Sequence, residues 1–176
     1  MKKKIVGVLF ILVAIMLLLT GCKSTDNKSK EESAKADVQA QREYQDPIEK
    51  YFKGLNKCDA DTYLSAYPEF MDKSETIKDR TLTERKRNLE RTYGDNVKYE
   101  FKILSETEIK DSDLKNIEEY ISERYKEKIE LKKGYKVKIE QKIKGDKDFD
   151  YATDVIYVYS IDGTWYVMDI YPEMVG

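Results

Sequence analysis

Hydrophobic and polar positions divide the chain into three parts. After the lysine-rich start Met1–Lys4, residues 5–19 are almost wholly apolar. From Lys23 to about Glu43 the residues are polar or small, with no aromatic side chain, and such a segment buries too little apolar surface to offset the entropy lost on folding. From Gln45 onward, hydrophobic residues recur at helix or strand spacing. The pattern predicts a leader over residues 1–21, a flexible tether over 22–43 and one domain over 44–176.

Three helices are predicted before the first strand. The first follows Pro47 and carries one apolar stripe, formed by Ile48, Tyr51, Phe52 and Leu55. The second is short, with Asp59 or Asp61 as its N-cap, and stops at Pro68. The third runs from about Thr81 to Tyr93, with Gly94 as its C-terminal cap. For residues 34–42 the alternative to a tether is an extension of the first helix.

The second half of the chain alternates as a sheet, interrupted by one helix. Val97–Ile103 predicts a half-buried strand, and a longer helix is expected from Asp111 to about Leu131, ended by Gly134. Asp162-Gly163 is a strong two-residue hairpin signal. The strands expected around this turn are Tyr135–Ile143, a central strand Tyr151–Ser160, and Thr164–Tyr171. Helices followed by a meandering antiparallel sheet predict the α+β class.

The end of the apolar run carries a short motif. Residues 5–19 are fewer than the roughly 20 needed to span a bilayer and suit the apolar region of a signal peptide. Leu19-Thr20-Gly21-Cys22 follows and resembles the lipobox of bacterial lipoproteins. The resemblance implies cleavage between Gly21 and Cys22, a lipid on the Cys22 thiol, and attachment to the outer face of the cell membrane. The alternative is an uncleaved membrane anchor with an incidental cysteine.

The order of elements resembles a second family. Helices, a strand, a longer helix and three strands resemble the nuclear transport factor 2-like, cystatin-like superfamily, in which a curved sheet wraps a long helix and leaves a cone-shaped pocket. The final hairpin, from Tyr157 to Asp169, resembles that of small secreted lipoproteins in this superfamily. The resemblance implies N-terminal helices packed on a curved antiparallel sheet. The predicted helix from Thr81 to Tyr93 departs from that pattern.

Composition excludes several kinds of chemistry. The chain has no His and two Cys, which excludes Ser-His-Asp and Cys-His nucleophiles, His-ligated zinc and Cys₄ sites. The sequence contains no phosphate-binding loop motif. Loss of the leader, which holds three lysines and no acidic residue, moves the net charge from -2 to -5. An acidic domain argues against bulk nucleic-acid binding, and we expect no cofactor and no metal.

Two smaller features have ordinary explanations. Asp146-Lys-Asp-Phe-Asp150 has the spacing that begins a calcium loop, but Tyr151 stands where that loop needs glycine and Tyr157 where it needs glutamate. A polar hairpin turn is therefore the favoured interpretation. Cys58 loses its only possible intramolecular partner once Cys22 is acylated, and we expect a small buried residue between two helices.

Tyrosine is the one residue type in excess, with 14 copies. Each offers ring area and one hydrogen-bonding tip, so a ligand pocket or partner surface is predicted from Tyr63, Tyr67, Tyr157, Tyr159 and Trp165. The alternative is that these side chains only fill the core. Some superfamily members are isomerases that pair an acid with a tyrosine, and the candidate pairs here combine Asp154 or Asp169 with Tyr157 or Tyr166.

These observations favour a binding function over catalysis. The expected protein is a lipid-anchored, extracytoplasmic module of the bacterial cell envelope that binds an envelope protein or a small ligand. One alternative is an immunity-type or stress-type lipoprotein that intercepts a secreted toxin or antibiotic. The other is an enzyme of the acid/tyrosine isomerase type.

Overall fold

The computed structural model describes residues 43–71 and 79–175, so the predicted leader, lipobox and tether lie outside the described residues. The elements in chain order are α1 (Gln45–Lys57), α2 (Ala60–Leu64), α3 (Asp79–Tyr93), β1 (Lys98–Glu108), α4 (Asp111–Tyr125), β2 (Leu131–Lys144), β3 (Phe149–Ile161), β4 (Thr164–Val167) and α5 (Pro172–Val175). This confirms the α+β class. Among the helices in this part of the chain, none is both long enough and apolar enough to cross a bilayer.

The four strands form one antiparallel sheet in the order β1-β2-β3-β4. The predicted turn at Asp162-Gly163 is confirmed, and both residues have positive φ, as a tight two-residue hairpin requires. On the inward face, alternate residues of β2 such as Val137 and Ile139 are buried. Their neighbours Lys136 and Lys138 point to the opposite face, as strand geometry dictates.

The first helix organises the core. Helix α1 contacts both β1 and β4, the two edges of the sheet, an arrangement compatible with a sheet that curves around the helix. Its apolar stripe faces inward as predicted: Ile48 and Phe52 are buried, and the Phe52 ring stacks on Phe101 of β1 at 4.6 Å between ring centroids. Tyr44 precedes the helix, is fully buried, and donates its hydroxyl hydrogen bond to Glu106.

The predicted long helix is shorter than expected. Helix α4 ends at Tyr125 rather than near Leu131, because Lys126 adopts the left-handed conformation with φ of 61°. Leu131 is instead the first residue of β2. Its backbone N–H donates a hydrogen bond to the Glu118 carboxylate of α4. The apolar stripe from Leu114 to Ile121 is buried as predicted.

Gly134 was predicted to end the helix that begins at Asp111, because glycine is common at helix C-termini. It lies instead within strand β2. A Cβ there would lie 2.8 Å from the Tyr159 ring and 3.1 Å from side-chain carbons of both Ile109 and Leu114. The glycine therefore lets three buried side chains approach the strand.

The last strand also stops early. Strand β4 ends at Val167 instead of Tyr171, and the Met168 N–H makes one further hydrogen bond, of 3.1 Å, to the Tyr157 carbonyl. Since β4 pairs only with Val158–Ile161, no strand among the described residues lies beside the first half of β3 on that edge. Residues 149–155 are accordingly exposed, so the strand predicted over Tyr151–Ser160 as buried on both faces is exposed in its first half.

Candidate functional site

A close contact between α1 and α2 builds the floor of the candidate site. A Cβ on Gly54 would lie 2.4 Å from the Tyr63 backbone nitrogen, so only glycine allows this approach. Helix α2 begins at its predicted cap, because the Asp59 carboxylate accepts a 3.1 Å hydrogen bond from the Thr62 N–H. These two features fix where Tyr63 enters the core.

Three tyrosines meet at this corner. Tyr51 of α1 packs on Tyr63 with ring centroids 4.9 Å apart, and Tyr63 packs on Tyr67 at 5.5 Å. The Tyr63 and Tyr67 hydroxyls lie 3.0 Å apart, and only 4% and 5% of these two residues is exposed. The Tyr67 hydroxyl also lowers the pKa of Asp169, and the charge of Asp169 raises the pKa of Tyr67, so the buried cluster is coupled to the carboxylate at the surface.

A groove opens beside this cluster, where β3 runs past the end of β4. Its volume is about 210 Å³, and its polar or aromatic lining residues are Tyr51, Asp154, Tyr157, Asp169 and Tyr171. We call it the Asp169 groove. Pockets for drug-sized molecules usually hold roughly 300–1,000 Å³, so this groove suits one side chain or one small head group.

The surroundings of Asp169 in the groove raise its pKa. Burial of its inner side raises the pKa of Asp169, the Tyr67 hydroxyl partly opposes that rise, and the negative charge of Asp154 adds to it. Burial likewise raises the pKa of the Tyr51, Tyr63 and Tyr67 hydroxyls. The tyrosines therefore stay protonated, and the only charges contributed by the lining residues are negative.

No base neutralises these charges from within the groove. Among the described residues that line it, none is a lysine or an arginine. Lys136 lies 5.6 Å from the Tyr157 ring centroid, but its ammonium is 3.1 Å from Glu173. Two carboxylates beside electron-rich rings can hold a positively charged group by ion pairing and cation–π attraction.

A metal ion does not fit the same description. Across the described residues, no three His, Cys, Asp or Glu side chains are grouped so that they could share a metal ion. The carboxylates of the Asp146–Asp150 turn are already engaged: Asp146 accepts from Asn96, and both Asp148 and Asp150 accept from the next backbone N–H. Residues 145–148 join β2 to β3 as the predicted polar hairpin turn, and Asp150 already lies within β3.

The predicted surface residues fall into two groups. Tyr63 and Tyr67 lie in the tyrosine cluster, and Tyr157 lines the Asp169 groove. Tyr159 is fully buried, and its hydroxyl donates a 2.6 Å hydrogen bond to the Ile170 carbonyl. Trp165 is also buried and stacks on Tyr135 at 5.6 Å. Tyr63, Tyr67, Tyr159 and Trp165 all belong to the buried core, and Tyr157 alone of the five lines the groove, so these side chains do not form one surface. Cys22 lies outside the described residues.

The acid and tyrosine pairs divide in the same way. Asp154, Asp169 and Tyr157 line one groove, whereas Tyr166 lines another, with Phe70 and Ile129. Tyr51 and Tyr171 were not predicted as site residues, because Tyr51 belongs to a helical stripe and Tyr171 was placed in a strand. Cys58 lies between two helices as predicted but is half-buried, with its thiol 3.9 Å from the Leu55 and Leu82 carbonyls.

Comparison with known proteins adds no family. No protein-family model matches the chain, and no curated protein sequence matches it. The site must therefore be interpreted from its own geometry and charge.

Proposed function

We propose that this protein is a lipid-anchored, extracytoplasmic binding module of the bacterial cell envelope. The anchor is supported by Leu19-Thr20-Gly21-Cys22 behind a lysine-rich start and an apolar run. The module is a cystatin-like domain, a proposal supported by the contact of α1 with both edge strands of an antiparallel sheet. A diacylated cysteine would hold it at the membrane without a spanning helix, since each buried methylene adds about 0.8 kcal/mol.

The ligand of the Asp169 groove is a positively charged group, such as an amine or guanidinium. One observation carries this proposal: Asp154 and Asp169 share one groove with three tyrosine rings and no lysine or arginine among its described lining residues. Burial is the main cause of the raised pKa of Asp169 and the charge of Asp154 adds to it, so a cation between the carboxylates would stabilise the ionised form of Asp169. The small volume favours a single head group or side chain, with the rest of the ligand outside.

The competing function is an acid/tyrosine isomerase, and the observation that favours it is that Asp154, Asp169 and Tyr157 line one groove. Such an enzyme would place its acid in a closed apolar cavity, as ketosteroid isomerase does. Asp169 instead lies at the exposed mouth of the groove. The geometry therefore supports binding better than catalysis.

The test is a titration of the full-length chain in nonionic detergent, followed by amide NMR. The probe is Nα-acetyl-lysine amide, and its control is Nα-acetyl-norleucine amide, which keeps the carbon chain without the charge. We expect the lysine probe to shift signals from Tyr51, Asp154 and Asp169 with millimolar affinity, about 4 kcal/mol. Asp169→Asn should weaken that binding, whereas Asp162→Asn, the same change in the β3–β4 turn, should not. Equal shifts with both probes would refute the proposal.

A further inference from the structure

The open edge of β3 lies directly beside the Asp169 groove. Strand β3 pairs with β2 along its whole length, from Phe149 to Ile161, but β4 covers only its last four residues. Among the described elements, no strand pairs with residues 149–157 on the other edge. The edge ends at the Tyr157 carbonyl, which accepts from Met168 at the wall of the groove.

The hydrogen bonds of this edge show which backbone groups face outward. Along an antiparallel strand, alternate residues direct both N–H and C=O to the same side. Three alternate N–H groups of β3 each donate a 2.8 Å hydrogen bond to the carboxylate of the preceding aspartate instead of to a strand: Phe149 to Asp148, Tyr151 to Asp150, and Val155 to Asp154. Thr153 shares this parity, so its N–H faces the same edge.

The edge is amphipathic as well as open. Asp150, Ala152 and Asp154 pair with inward-facing residues of β2, so their side chains share the inner face. Phe149 and Tyr151 point to the outer face and are 54% and 53% exposed. A strand added here would meet carboxylates on one side and aromatic rings on the other.

We propose that an extended, basic segment of a partner protein pairs with this edge as a fifth antiparallel strand. The proposal rests on the proposed function, because one basic side chain of the segment occupies the Asp169 groove. The remaining inward side chains of the segment are also basic and lie against Asp150 and Asp154. Its outward side chains are apolar and cover Phe149 and Tyr151. The carbonyls of the added strand replace the aspartate carboxylates as acceptors for the edge N–H groups, which is how added strands bind sheet edges.

The charge of the edge argues against a second copy of this chain as the occupant. Antiparallel pairing of two β3 edges about a two-fold axis at Ala152 would place Asp150 of each copy opposite Asp154 of the other. Like charges directly opposite each other destabilise a sheet, and inward-pointing charges are a known protection against edge-to-edge association. A basic segment turns the same carboxylates into attractive contacts.

Backbone methylation of a peptide tests the pairing directly. The probe is a fluorescent peptide of alternating lysine and valine, bound to the full-length chain in nonionic detergent. In the antiparallel arrangement, residues opposite Tyr151 and Thr153 point their N–H groups at β3, and the valines occupy the outward positions. N-methylation of the valines should weaken binding about tenfold or more, and N-methylation of the lysines should leave it nearly unchanged. Equal affinity of the two methylated peptides, or loss only with methylated lysines, would overturn the proposal.

A variant separates this inference from the proposed function. Thr153→Pro removes one edge N–H without touching the β2 ladder, and proline is tolerated on edge strands; Thr153→Ala is its matched control. We expect only Thr153→Pro to weaken binding of the peptide. Both variants should bind Nα-acetyl-lysine amide with the affinity of the original chain. If the amide binds but Thr153→Pro leaves peptide affinity unchanged, strand pairing is refuted alone. If Asp169→Asn changes the affinity for neither the amide nor the peptide, the proposed function is refuted as well.

Discussion

The Tyr63 hydroxyl lies 3.0 Å from the Tyr67 hydroxyl, and both residues are buried. The Tyr67 hydroxyl in turn lowers the pKa of Asp169. A buried polar group is costly unless it is hydrogen-bonded, so this chain of contacts ties the fold of α2 to the carboxylate in the groove.

Removal of one hydroxyl from this chain should be measurable. Tyr67→Phe leaves the ring but removes the 3.0 Å hydrogen bond between the Tyr63 and Tyr67 hydroxyls, so we expect the free energy of unfolding to fall by about 1 kcal/mol. It should also raise the pKa of Asp169, because the Tyr67 hydroxyl lowers that pKa. Urea denaturation measures the first effect and carboxyl NMR the second. Tyr151→Phe is the control, since that side chain is exposed; equal stability of both variants would contradict the prediction.

The raised pKa of Asp169 makes stability depend on pH. A carboxyl whose pKa is higher in the folded state than in the unfolded chain destabilises the fold once it ionises, so its cost grows as pH rises above the ordinary value of about 4. Asp169→Asn abolishes this ionisation while keeping an oxygen for Tyr67. The variant should gain stability relative to the original chain at neutral pH, and the gain should vanish below the ordinary carboxyl pKa. Denaturation measured across this pH range tests the prediction. If the difference in free energy of unfolding between Asp169→Asn and the original chain did not change with pH, the raised pKa of Asp169 would be refuted.

Gly54 should tolerate no side chain. A Cβ there would lie 2.4 Å from the Tyr63 nitrogen, a backbone atom that cannot move without shifting α2. We expect Gly54→Ala to lower the free energy of unfolding by roughly 3 kcal/mol and to displace Tyr63 from the cluster. Lys53→Ala, an exposed change in the same helix, should cost no more than about 0.5 kcal/mol. Similar melting curves for the two variants would show that the helices do not approach so closely.

The lipid anchor makes a prediction in cells. Cys22→Ala removes the only thiol beside the cleavage position, so the variant should keep its leader and incorporate no radiolabelled fatty acid. Cys58→Ala is the matched control and should be processed and labelled normally. Normal maturation of the Cys22 variant, with continued membrane association, would contradict the lipoprotein assignment.

Local patterns predicted most elements but not their ends. The stripe of α1, the cap at Asp59 and the turn at Asp162-Gly163 depend on neighbouring residues, and the structure confirms them. The end of α4 at Lys126 was missed because a lysine in the left-handed conformation carries no sequence signal. Gly134 was wrongly predicted to end a helix for a related reason: the side chains that require glycine there are Ile109, Leu114 of α4 and Tyr159 of β3, all 20 or more residues away along the chain.

The site was only partly predictable for the same reason. Val158 pairs with Val167 once the turn is fixed, which brings Asp154 and Asp169 to the same end of the hairpin. The sequence could therefore suggest these acids as neighbours. The contribution of Tyr51, Tyr63 and Tyr67 depends on how two helices dock on the sheet, and hydrophobic periodicity predicts which face docks but not its partners.

The central claim is that the Asp169 groove binds a positive charge, and the side-chain pKa of Asp169 tests it most directly. Carboxyl-carbon NMR of the full-length chain would follow this pKa with saturating Nα-acetyl-lysine amide and with the uncharged norleucine analogue. Because a cation favours the ionised carboxylate, the lysine probe should lower the pKa of Asp169 and the norleucine probe should leave it unchanged. The same pKa with both probes would contradict the proposed function.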